Sequence, residues 1–181
     1  AHVHAVEAGS NAELCYVPED TRARDLAKKL EACGEDKFFG GEGWIMGAGA
    51  DIGILLENIY NDFSSPLPIM VLDDAFPNTP VVILDSLGHG ALVNTEALRQ
   101  VNLLDAGKVP GGEVLRDEDG TLFGIVIENT QQVFRDAAFP PTEANQNLAY
   151  DSLLEALDTL NRCGITTVSD AGGFWRQAQT E

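Results

Sequence analysis

The chain has 181 residues, 44% of them hydrophobic, and a formal net charge of -18 from 11 basic and 29 acidic side chains. That length holds one domain with a real core, or a domain with a sizeable insertion, but not two full domains. The charge repels phosphate backbones and anionic membrane surfaces, so nucleic acid and membrane are set aside as partners.

The chain opens on AHVHA, with His2 and His4 two residues apart. In a strand such residues project from one face, so the two imidazoles could hold one cation between them. EDTRARDLAKKLEACGE then reads as a helix. Asp20 or Thr21 is its expected N-cap, Ala23, Leu26, Ala27 and Leu30 its apolar face, and Gly34 its stop. WIMGAGADIGILLEN carries a G-x-G before a short helical pattern, but it lacks the third glycine and the acidic partner of a dinucleotide site. NDFSSPLPIMVLDDAFPNTP, with four prolines, predicts an irregular connection.

TPVVILDS is an uninterrupted apolar run, expected as a strand buried on both faces. EVLRDEDGTLFGIVIEN reads as two strands around an Asp-Gly turn, with Arg116 and Asp117 as a charge pair in the hairpin. PPTEANQNLAYDSLLEALDTLNRCG predicts a second helix. Thr142 caps it, Ala149, Leu153, Ala156, Leu157 and Leu160 form its apolar face, and Gly164 ends it. ITTVSDAGG follows as a short buried strand running into a glycine loop, so helix, turn and strand make half of a β/α repeat. Cys15, Cys33 and Cys163 are odd in number and form no C-x-x-C pair; they read as reduced thiols. With no apolar segment near the roughly 20 residues a bilayer requires and no visible signal peptide, the expected location is the cytoplasm.

Taken in order, HVHA, WIMGAGAD, LDDAFPNTPVVIL, LGHGALVNTEAL, GGEVLRDEDGTLFGIVIEN and LNRCGITTVSDAGG resemble the amidohydrolase superfamily, in the branch called amidohydrolase family 3. The resemblance implies an α/β chain: the first strands of a partial (β/α)8 barrel, with an inserted α+β subdomain. Residues 1–34 would start the barrel, 35–135 would be the insertion, and 136–181 would return to the barrel. The H-x-H pair would close barrel strand one. The rest of the metal site and a catalytic aspartate would lie on strands after SDAGG, so the resemblance implies a truncated piece that carries no complete catalytic set and is inactive by itself.

In the parent protein the resemblance implies a divalent metal, zinc by expectation. It would activate water to hydrolyse a non-peptide C–N bond of a small amide-type substrate, such as an N-acyl or N-formyl group. His2, His4 and Glu128 are the implied metal ligands; His89, Trp44 and Asp170 are the implied substrate-binding residues. Each has a plainer alternative: His2 and His4 an unpaired terminal pair or a tag remnant, Glu128 a solvent-facing strand end or helix cap, His89 a structural histidine, Trp44 a core residue, Asp170 a loop cap. Asn94 is expected to fix its loop by side-chain to backbone bonds before a Thr95 cap. Leu87, Leu92 and Ala50 stand where relatives often carry an aspartate and aromatic rings, implying a pocket lined by Leu and Ala. The alternative from another class is a non-catalytic module that binds ligand or forms a homo-oligomer through exposed barrel surface.

Overall fold

The computed structural model describes residues 2–5, 9, 11, 14–33, 43–62, 64–105 and 108–170. Two sheets are present among these residues. The first is a parallel pair, β1 (His2–Val3) and β9 (Ser169–Asp170), with His2 opposite Ser169 and Val3 opposite Asp170. The second has seven strands: β2 (Cys15–Tyr16), β3 (Ile45–Ala50), β4 (Val81–Asp85), β5 (Gly90–Val93), β6 (Lys108–Val109), β7 (Gly112–Arg116) and β8 (Leu122–Glu128). Their spatial order is β2-β3-β4-β5-β8-β7-β6, parallel from β2 to β4 and antiparallel beyond. A mixed sheet therefore lies in the chain between two strands that pair with each other.

β4 is buried at all five positions, as its apolar run predicts. Strand periodicity sends Val82 and Leu84 to one face and Val81 and Ile83 to the other, and each pair enters a different core cluster. On one side, Leu26 and Leu30 of α1 (Leu26–Ala32) join Leu55 of α2 (Ile52–Asn61) and Leu72 of α3 (Pro68–Ala75). Across the sheet, Ala97 and Leu98 of α4 (Thr95–Gln100) join Phe134 and Ala138 of α5 (Thr130–Ala138). Gly124 shows how closely these layers approach: at φ +76, a Cβ there would stand 2.7 Å from both the Ile69 Cβ and the Val93 carbonyl oxygen.

The structure corrects several expectations. Neither Asp20 nor Thr21 caps α1; a 3-10 turn over Ala23–Asp25 leads into the helix, and Asp25 precedes it without a side-chain cap bond. The expected stop, Gly34, lies outside the described residues. β2 pairs with β3 in the seven-stranded sheet, and Leu26 and Leu30 of α1 are buried against it. The proline-rich stretch contains a helix, α3, because Pro68 occupies its first position, where a missing N–H leaves nothing unpaired. Before it, Asp62 accepts from the Ser64 amide and hydroxyl, bonds that hold its carboxyl below the ordinary range.

The β7–β8 hairpin forms as predicted, but Arg116 reaches the carbonyls of Gly120 and Leu104 instead of Asp117. Asp117 accepts from the Asp119 and Thr121 amides and so shapes the turn. Cys15 and Cys33 are joined in a disulfide, which removes the thiol argument for a reducing compartment. No helix among the described residues is long and apolar enough to cross a membrane.

α6 (Glu143–Arg162) starts at Thr142, whose hydroxyl accepts from the Asn145 amide at 3.2 Å, and ends before Gly164 at φ +79. Its expected apolar face is only partly covered. Ala149 is buried and Leu153, Ala156 and Leu160 are half-buried, whereas Leu157 is exposed along with its neighbours Tyr150 and Leu154. The strand expected over ITTVSD is likewise shorter and more open. Only Ser169–Asp170 pair, with the two residues of β1, and Thr166, Thr167 and Ser169 are exposed.

Candidate functional site

Two of the site candidates, His89 and Glu128, meet where parallel β3 and β4 end. At that same edge β5 begins, β8 ends and β7 begins, as the pairings Leu84–Ala91, Gly90–Ile127 and Gly112–Glu128 require. Ligands of open α/β sheets are found outside the carboxyl ends of parallel strands. Here that rim carries Asp85, the turn Ser86–Gly88, His89 and Glu128.

The turn forms because Gly88 takes φ +75, and its amide donates to the Asp85 carbonyl at 3.1 Å. The Ser86 amide donates to the Ala50 carbonyl at 2.8 Å, tying the turn to the end of β3. His89 follows, and its carbonyl accepts from the Glu128 amide at 2.8 Å. Glu128 itself sits at φ +53, a left-handed conformation seldom adopted by a residue with a side chain. The result brings His89 Nδ1 to 3.4 Å from Glu128 Oε1, with side chains 68% and 53% exposed. A contact so open to water contributes little by itself, so backbone bonding sets this geometry.

Of the expected residues, His89 and Glu128 thus meet. Trp44 is buried in a core cluster with Met46, Val82 and Leu84. His2 pairs through its backbone with Ser169, and His4 has an exposed side chain just after β1. The side chains of His2 and Asp170 lie outside the described residues. Leu92 and Ala50 are fully buried in the second core cluster, so they do not line an open pocket, whereas Leu87 stands 70% exposed on the turn. Asn94 is itself the cap of α4, and Thr95 bonds Asp73 through its amide and hydroxyl.

Two residues at this rim were not singled out from the sequence, Asp85 and Gln131. Asp85 is 9% exposed; its Oδ1 accepts from the Ile52 amide at 3.1 Å and its Oδ2 from the His89 amide at 3.2 Å. Gln131 is fully buried, and its Nε2 donates to the Gly88 carbonyl at 2.6 Å. The signal for Asp85 was a carboxylate closing an otherwise apolar strand. Gln131 left no comparable trace.

A catalytic metal site of this kind takes about three protein donors. Among the described residues no group of three or more His, Cys, Asp or Glu side chains could hold an ion. His89 and Glu128 supply two donors and face each other. The described donor set does not hold a metal by itself.

The model of the amidohydrolase family matches residues 1–181. The chain belongs to this family. Its relatives include Protein LONG AFTER FAR-RED 3 of Arabidopsis thaliana, 24% identical over 182 aligned positions that cover 97% of the chain and 28% of the relative. Crystal structures of uncharacterized metal-dependent hydrolases from Pyrococcus furiosus and Pyrococcus horikoshii OT3 share the fold. Their TM-scores are 0.54 and 0.51, at 19% and 18% identity, and each covers 94% of the chain. The chain spans 30% and 34% of those two structures, so this amidohydrolase chain corresponds to about a third or less of each relative it matches.

Proposed function

We propose that this amidohydrolase chain contributes two neighbouring strands, β1 and β9, of a metal-dependent (β/α)8 hydrolase barrel, together with an α+β subdomain inserted between them. The observation that carries this reading is the parallel pairing of His2–Val3 with Ser169–Asp170, with the long helix α6 leading into the second strand. A parallel pair joined through a helix is the unit from which such barrels are built. In this reading the inserted subdomain takes in β2 and α1, an assignment supported by the β2–β3 pairing and the burial of Leu26 and Leu30.

In this reading the substrate is a small amide-type molecule cleaved at a non-peptide C–N bond. A divalent ion, zinc as the first candidate, supplies an activated water when bound. His2 and His4 are its ligands from this chain, and the remaining donors and barrel strands come from outside the 181 residues. Glu128 is the weakest metal candidate because its carboxylate faces His89; these two groups serve instead as hydrogen-bonding partners for substrate at the rim. To test this, the complete reading frame is purified without chelator, assayed for divalent metal by mass spectrometry and tested on simple N-acyl amides. Stoichiometric metal and turnover, both lost in His2→Ala and His4→Ala, are expected. Metal retained in full by both variants contradicts the reading.

Tyr150, Leu154 and Leu157 recur at helical spacing on α6 and are 63%, 48% and 39% exposed. Such a stripe is what neighbouring barrel helices would cover. The 181-residue chain by itself is therefore expected to self-associate through it on sizing chromatography, and charged residues at Leu154 and Leu157 should disperse it. A monodisperse monomer at micromolar concentration counts against an open barrel face. Self-association without metal or turnover in the complete reading frame favours the non-catalytic module.

A further inference from the structure

We propose that Asp85 and Gln131 are positioning residues that lock the β4–β5 turn so that the His89 imidazole stands beside Glu128. The proposal rests on the reading above in treating His89 and Glu128 as site groups, and it adds the residues that place them.

Three backbone groups of Gly88 and His89 are each held by a different residue. The Gly88 carbonyl accepts from Gln131 Nε2, the His89 amide donates to Asp85 Oδ2, and the His89 carbonyl accepts from the Glu128 amide. Asp85 also ties this turn to α2, because its second oxygen accepts from Ile52, the first residue of that helix. Two N–H donors from separate segments each take a different oxygen, a demand met by a carboxylate and not by an amide, whose NH2 would face one of the donors. The first turn of α2 adds its partial positive charge beside a carboxylate that is nearly buried. Gln131 reaches the turn from the first turn of α5, which begins two residues after the left-handed Glu128. By contrast, the His89–Glu128 contact is exposed on both sides and too weak to hold the imidazole alone. The positioning then comes from the part-buried backbone bonds of Gly88 and His89, anchored by the buried Asp85–Ile52 bond.

The test uses the chain labelled with 13C at the histidine ring. In the wild type, Glu128→Gln is expected to move the His89 ring cross-peak; in an Asp85→Asn background that response is lost. The His89 amide then exchanges about tenfold faster, the loss expected when a charge-assisted bond is removed. Where Asp85→Asn fails to fold, Gln131→Met serves in its place and should abolish the same response. A Glu128→Gln response of wild-type size in either folded variant overturns the proposal. That outcome is distinct from failure of the hydrolase reading, which would appear as metal content indifferent to His2 and His4 while the His89 response remained intact.

Discussion

Replacing Asn94 with alanine is expected to lower stability by about 3–4 kcal/mol, read as a shift in the denaturant midpoint with an unchanged slope. Asn94 is fully buried, and its side chain makes four bonds to backbone. Oδ1 accepts from the Val81 and Ala97 amides, both at 3.0 Å. Nδ2 donates to the Phe76 carbonyl at 3.0 Å and the Thr79 carbonyl at 2.9 Å. One side chain thereby joins the end of α3, the turn into β4, the start of β4 and the first turn of α4. A cap alone contributes about 1 kcal/mol. The larger figure follows because truncation strands buried donors and acceptors in several segments at once. Asn94→Asp separates the two roles: it keeps the capping oxygen but turns a second oxygen toward the Phe76 and Thr79 carbonyls, so it should not rescue. A loss near 1 kcal/mol for both variants would reduce Asn94 to an ordinary cap.

Reduction of the Cys15–Cys33 disulfide should lower stability by about 3 kcal/mol, the chain-entropy expectation for a loop closed across 18 residues. The bond fastens edge strand β2 to the C-terminal end of α1, so its loss frees the ends of the segment whose Leu26 and Leu30 cover one side of the sheet. Denaturant midpoints with and without reductant measure the effect. A thiol count on protein unfolded without reductant should find Cys163 alone, because it is the one free cysteine among the three in the sequence. Three reactive thiols would contradict the disulfide and restore the reading of reduced cysteines.

Much of the architecture was legible because single segments declared it. VVILD could be nothing but a strand covered on both faces, Asp-Gly placed the β7–β8 turn, and Thr142 and Gly164 bracket α6 as their chemistry predicts. What misled was local evidence overruled by distant partners. Four prolines hid α3, since Pro68 starts a helix as readily as its neighbours interrupt one. Cys15 and Cys33 carry no spacing signal, and only the packing of α1 against β2 brings them together. The pairing of β2 with β3 likewise depends on a strand about 30 residues away and leaves no local mark in the sequence.

The rim follows the same logic. His89 and Glu128 were visible as residue types in recognisable motifs, but their meeting depends on the β5–β8 register and on the left-handed backbone at Glu128. Asp85 and Gln131 act on backbone groups, and neither partner can be read from composition. Departures in the motif also changed meaning once folded: Leu92 and Ala50 fill the core, so their size reports packing and not the shape of a substrate pocket.

The most direct test of the barrel reading is the contact between β1 and β9, measured as backbone nuclear Overhauser effects in the labelled chain. Cross-peaks linking His2–Val3 to Ser169–Asp170 in the parallel pattern are the expected result. An antiparallel pattern, or contacts from His2–Val3 to the seven-stranded sheet instead, would contradict it.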